Sequence, residues 1–213
     1  MSSKYKFTDK EGIYFTTSTI AGWVDVFTRD IYREILLDSI RFCQANQGLV
    51  IHACVLMTNH LHLICSCKPN NDLALILRNM KSFIAMKLID AIIRHPTESR
   101  RENMLNVFES EGKKSSSNFR YKLWEHENHP ILLDSVFVYN QRLNYLHWNP
   151  VTAGFVTDPW HWKLSSATDY FTAEKGMLGV IILEEFTGTA LVTRGSRTES
   201  CASGIITHSF LTS

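Results

Sequence analysis

His60 and His62 flank a single leucine in the run MTNHLHLICS, residues 57–66. If this run is a strand, its side chains alternate between faces. His60, His62 and Ile64 then point one way, and Leu61, Leu63 and Cys65 the other. The two histidines stand side by side, about 7 Å apart at Cα, and two imidazoles so placed can converge on one divalent ion. The same spacing also occurs as two ordinary strand histidines with hydrogen-bond partners. A cupin-like zinc or iron site would want a carboxylate just downstream, and no Asp or Glu occurs between His62 and Asp72.

A second stretch with chemical content is NYLHWNPVTAGFV, residues 144–156. Val136, Tyr139, Leu143 and Leu146 form an apolar helical stripe, and Arg142, Tyr145 and Asn149 lie on the stripe beside it. Tyr145 and Asn149 are one turn apart and share a face. Tyr145 is a candidate nucleophile and Asn149 a candidate oxygen ligand. Taken alone, this helix reads as well with Tyr145 as a core aromatic and Asn149-Pro150 as a helix stop.

The elements that must position these residues follow from periodicity. Residues 12–20 are β-branched and aromatic, which predicts a strand. Residues 29–46 have helical spacing of apolar positions. Residues 49–57 and 60–67 predict two strands joined by a tight turn at Thr58-Asn59. Asn71 or Asp72 caps a helix running to about Ile93, with His95-Pro96 as its stop. Residues 96–118, including KKSSSN, read as a loop, and 119–126, FRYKLWEH, as a fourth strand. Asp134 or Ser135 caps the helix that carries Tyr145, with Pro150 expected to stop it near Asn149. Residues 177–186, GMLGVIILEE, read as one more strand. The order gives an α+β class, a ferredoxin-like split βαβ sandwich with an antiparallel sheet and an added C-terminal helix. The histidine face of the sheet is expected to be uncovered, because the leucines claim the helices.

The strand ending in MTNHLHL, then a basic helix, then WEH, then YLHWNPVTAGFV, resembles the single-tyrosine HUH transposases (IS200-like), and most nearly the REP-associated tyrosine transposases. The likeness runs from about Gly12 to Tyr170. It implies a domain over residues 1–175 and an extension of unmatched role over 176–213. It implies that Tyr145 is the nucleophile, that His60, His62 and Asn149 hold Mg²⁺ or Mn²⁺, and that single-stranded, hairpin-forming DNA is cut and rejoined through a 5′-phosphotyrosine. Many relatives carry Gln or another polar group at the position of Asn149. A homodimer is compatible with the likeness. Arg78 and Lys81 on the basic helix, with Arg142, are expected at phosphates, and Lys68, Lys87, Arg120 and Lys122 are further candidates. Trp124 is expected at an unpaired base, with Trp148, Trp160 and Trp162 as alternatives. Two other readings compete: a domesticated hairpin-binding protein without transposition activity, and a metal-dependent nucleic-acid hydrolase in which Tyr145 is structural.

Bulk properties narrow this little. Net charge is +1 over 213 residues, so any basic surface is local. The five cysteines show no C-x-x-C spacing, the start MSSKYKFTDKEG lacks a secretory apolar core, and no run approaches a membrane span, so a reduced cytoplasmic protein is expected. From Thr187 the chain is rich in Ser, Thr and Gly and is expected to be poorly packed.

Overall fold

A computed structural model describes residues 7–114, 120–125, 130–172 and 174–187. Its order is β1 (Tyr14–Thr19), α1 (Asp30–Asn46), β2 (Leu49–Leu56), β3 (His60–Cys67), α2 (Leu73–Arg94), α3 (Arg101–Lys113), β4 (Ile131–Leu132), α4 (Val136–Thr152), α5 (Ala167–Phe171) and α6 (Glu184–Thr187). The strands lie in the order β2-β3-β1-β4 and every pairing is antiparallel. This is the ferredoxin-like α+β sheet that the order of elements predicts. Asp72 caps α2 through Leu75 N at 3.1 Å, and Ser135 caps α4 through Val138 N at 3.3 Å, as expected of an Asp and a Ser at these positions.

Both faces of the sheet are covered. Leu61, Leu63 and Cys65 pack with Leu36 and Ile40 of α1 and Leu77, Ile84 and Leu88 of α2. Ile64 and Phe15 pack on the other face with Tyr139, Leu143 and Leu146 of α4. A bulge between Ile51 and Ala53 reverses the alternation of β2. It lets Ile51 face α1 and α2 while Ala53 and Val55 face α4. The histidine face is therefore not open, as expected from the sequence, but lies under α4. The apolar stripe of α4 needs burial, and this face is where it finds it.

Four expected boundaries change. Residues 120–125 are not a strand: they cross the end of β1 through a single bridge between Ile20 and Trp124. Their hydrogen bonds go from Lys122 N to Phe108 O and from Glu125 N to Thr19 O. The fourth strand is instead Ile131–Leu132, opposite Phe15 and Tyr14. The expected loop contains α3, anchored by Met104 and Phe108 one turn apart and fully buried. Leu105 and Val107 add partial packing, and the remaining positions are polar or charged apart from Gly112, so the apolar pattern is too sparse to read as a helix. Helix α4 runs past Pro150 to Thr152. A proline in the last turn forfeits only one N–H bond, and Gly154, at φ +76°, closes the end. Residues 177–186 are not a ladder strand: Ile181 N donates to Ile51 O at 2.9 Å, after which the chain turns into α6. The segment still packs, with Leu178 buried in one core cluster and Leu183 against the other. The expectation for residues from 188 onward lies outside the described residues.

Candidate active site

Strand β3 presents His60 and His62 to α4 with ring centroids 4.8 Å apart and planes at 70°. The antiparallel register sets Thr17 across from His62, and Thr17 Oγ1 lies 2.8 Å from His62 Nδ1. Phe15, two residues before Thr17 on the same face, stacks on His62 with centroids 5.2 Å apart. His62 is thus only 3% exposed. His60 sits at the rim, its Nδ1 2.7 Å from Asn59 Oδ1.

Helix α4 lays its second stripe over this pair. Asn149 Nδ2 is 3.4 Å from His62 Nε2, and the same side chain exerts an upward pull on the His60 pKa. Tyr145, one turn earlier, sets its ring edge-on to His62 at 5.4 Å and to Phe15 at 5.9 Å between centroids. It is 50% exposed. Its hydroxyl makes no hydrogen bond to another described residue. Arg142 holds its guanidinium carbon 5.5 Å over the Phe15 ring, and its buried Nε finds no partner among the described residues.

Electrostatics keep the two imidazoles neutral. Burial lowers the pKa of His60, against a smaller upward pull from Asn149. Burial, with the charges of His60 and Arg142, takes His62 down to about 3. Neutral rings keep a lone pair for a metal. Among the described residues no three His, Cys, Asp or Glu side chains gather, so a third protein donor here is the Asn149 amide. His62 Nε2 already faces that amide, and turning the amide over would present its oxygen instead. Two imidazoles and one amide oxygen suit Mn²⁺, and with water and phosphate oxygens they also serve Mg²⁺.

Of the expected DNA contacts only Arg142 is gathered here. Arg78 and Lys81 lie on α2, across the sheet from the histidines. They line a groove of about 930 Å³ with Arg120, Tyr121, Lys122 and Trp124. Burial lowers the Lys81 pKa to about 8. Trp124 does not suit base stacking as expected. It is 9% exposed, lies near Phe27, has Lys81 Nζ over its ring, and donates Nε1–H to Lys81 O. Its flanking residues alternate polar and apolar, and nothing in that pattern separates a core indole from a surface one. Trp162 is likewise tied down, through Nε1–H to Leu56 O, whereas Trp148 is exposed beside Tyr145 on α4.

Sequence reasoning missed Phe15, Thr17, Asn59 and Trp23. Trp23 is 65% exposed and sets its ring edge-on to His60 with centroids 6.2 Å apart. The β1–β3 register would have found Phe15 and Thr17, since both lie on the histidine face of β1. No local signal marks Trp23, which reaches the site through a turn in which Gly22 and Trp23 both have positive φ.

Fold and site together have the parts that a single-tyrosine transposase implies: an antiparallel sheet carrying a histidine pair, and a helix bringing a tyrosine and a polar side chain over it. Residues 23–105 match the family model described as transposase IS200 like. That match takes in α1 to α2 and both histidines, and stops before α4. A solved structure of a REP-associated tyrosine transposase bound to a REP hairpin has the same fold, at a TM-score of 0.57 and 16% identity over 94% of this chain and 100% of that one. No curated protein matches the chain. Among the described residues no helix is long and apolar enough to cross a membrane.

Proposed function

We propose that this chain is a transposase-type DNA-processing enzyme that cuts and rejoins single-stranded DNA through Tyr145. One observation carries the reading: the Tyr145 ring lies against His62, one turn from the Asn149 amide that meets the same imidazole, with His60 beside it. Each of these residues alone has an ordinary explanation. Nothing in core packing requires all four polar groups to meet at one half-open spot.

Tyr145 Oη attacks the scissile phosphorus, a new Oη–P bond forms, and the bond from phosphorus to the 3′ oxygen breaks. The tyrosine proton passes to solvent and the departing 3′ oxygen takes one up. The phosphotyrosine link conserves the bond energy for rejoining. His60, His62 and Asn149 would hold Mg²⁺ or Mn²⁺, which supplies Lewis-acid polarisation of the phosphate. Arg142, one turn before Tyr145 with its guanidinium over the Phe15 ring that Tyr145 also meets, offers a cation to the phosphate. The solved neighbour is bound to a hairpin, and a hairpin with a single-stranded flank is the substrate we propose here. Residues 1–175 would form the catalytic unit, with 176–213 as an addition to it, and the chain would work in the cytoplasm.

Incubating the protein with Mn²⁺ and a labelled hairpin oligonucleotide tests this. A 5′-linked adduct that survives boiling in detergent is expected, and Tyr145→Phe should fold, bind the hairpin and form none. An adduct that persists in Tyr145→Phe would move the nucleophile elsewhere. Hairpin binding without any adduct from the parent protein would favour the domesticated binder.

A further inference from the structure

Asn59 precedes His60 in the turn between β2 and β3. Its Nδ2 lies 3.0 Å from Asp25 Oδ1 and 3.3 Å from the Trp23 carbonyl oxygen, and its Oδ1 lies 2.7 Å from His60 Nδ1. A carboxylate and a carbonyl can only accept hydrogen bonds. Asn59 must therefore turn its NH₂ toward them. That leaves its oxygen, which also only accepts, against His60. The proton of a neutral His60 ring then resides on Nδ1, and the lone pair on Nε2.

The contrast with His62 is informative. Its Nδ1 partner is the Thr17 hydroxyl, which donates or accepts equally well and dictates no tautomer. The fixed arrangement belongs to His60, the more exposed of the pair. The turn is built to hold it. Trp23 takes a φ of +56°, which L side chains rarely adopt, and thereby aims its carbonyl at Asn59. Ile20 N donates to Asn59 O and Phe27 N to Thr58 O, which ties the loop to the hairpin on either side of Asp25.

We infer that Asp25, acting through Asn59, is a positioning residue that fixes the tautomer of His60 and so directs the Nε2 lone pair toward α4, where a metal would sit. The inference about Nε2 as a ligand rests on the proposed function; the tautomer does not. Outer hydrogen bonds of this kind set ring orientation and ligand basicity in metal sites. Here the carboxylate works at one remove, with an amide relaying its demand for a donor.

The Asp25 side chain can be changed without dismantling the loop, because the backbone is held separately. Asp25 O accepts from Arg100 Nη1 at 2.8 Å and from Thr28 Oγ1 at 3.2 Å. The test uses the full chain with ¹⁵N-labelled histidine, free of metal. Two-bond proton–nitrogen correlation spectra report which ring nitrogen carries the proton. His60 should be Nδ1-protonated in the parent. Asp25→Ala should give a mixture of tautomers and weaken Mn²⁺ binding about tenfold, the low end for loss of an outer-shell partner. Asp25→Asn still offers an oxygen acceptor and should restore most of both. Asn59→Ala, which removes the relay itself, reads the same nitrogens by an independent route. A parent His60 protonated on Nε2, or ring shifts unmoved in both Asp25→Ala and Asn59→Ala, would overturn the inference. A parent that shows the expected tautomer but binds no Mn²⁺ would instead sink the metal reading of the site and leave the relay standing.

Discussion

Lowering the pH from 7 to 5 should cost this protein about 4 kcal/mol of stability through two buried histidines. Burial takes both His62 and His147 down from 6.5 to about 3. His147 is 1% exposed and bonds Ser166 Oγ through Nε2 at 2.9 Å. Their folded-state pKa values are depressed, so the unfolded chain takes up protons that the folded chain refuses. The stability they provide is complete above the unfolded value of 6.5 and drains away as the pH falls toward 3. Linkage gives about 2 kcal/mol per histidine between pH 7 and 5, since each pH unit below the unfolded value costs about 1.4 kcal/mol at the limit. The sum is a large part of the ~5–15 kcal/mol that holds a domain folded. His52 and His60, also lowered by burial, act in the same direction. Glu98, held at about 2 by its Arg100, Arg29 and Tyr32 hydrogen bonds, gives stability that is lost only as the pH falls below 4.5. Urea unfolding with EDTA present, repeated at half-unit steps of pH, measures the slope. His147→Gln keeps a partner for Ser166 but cannot titrate, and should remove about half of it. A slope between pH 6.5 and 5 that is flat in the parent, or unchanged in His147→Gln, would refute the reasoning.

Other outcomes follow from the same geometry. Asn149→Ala should weaken Mn²⁺ binding and adduct formation by at least tenfold while hairpin affinity stays within about twofold, as gel shift and adduct assays would show; equal losses in both would make Asn149 a DNA contact. Leu146→Ala empties a fully buried position between α4 and the sheet, and should cost about 2–5 kcal/mol in chemical denaturation; a cost under 1 kcal/mol would mean that α4 does not depend on that contact. Arg78→Ala with Lys81→Ala should lower the salt dependence of hairpin binding by ~1.5 in log–log slope, at about 0.7–0.9 per phosphate contact, and an unchanged slope would place the DNA elsewhere than the α2 groove.

The sequence by itself determined the elements that are periodic and strongly apolar: β1, α1, the β2–β3 hairpin, α2 and the start of α4. It thereby determined the ferredoxin-like order, because period-2 and period-3.6 patterns are local properties of the chain. It also set which of the proposed site residues share a face. His60 and His62 alternate on one strand, and Tyr145 and Asn149 repeat on one helix. Helix α3 escaped because its apolar residues, Met104, Leu105, Val107 and Phe108, fall in one short cluster between polar turns and make no repeating stripe. The short β4 escaped because pairing with β1, and not the composition of two residues, makes it a strand. Only the tertiary structure decided that the histidine face is the one α4 covers, since two separate amphipathic patterns do not say which surfaces meet. It alone brought Thr17 to His62 and Asp25 to Asn59, and tied the Trp124 indole to the Lys81 carbonyl. Those partnerships depend on register and on a strained turn, and a hydrogen bond across 34 residues leaves no mark in the local spacing of either partner.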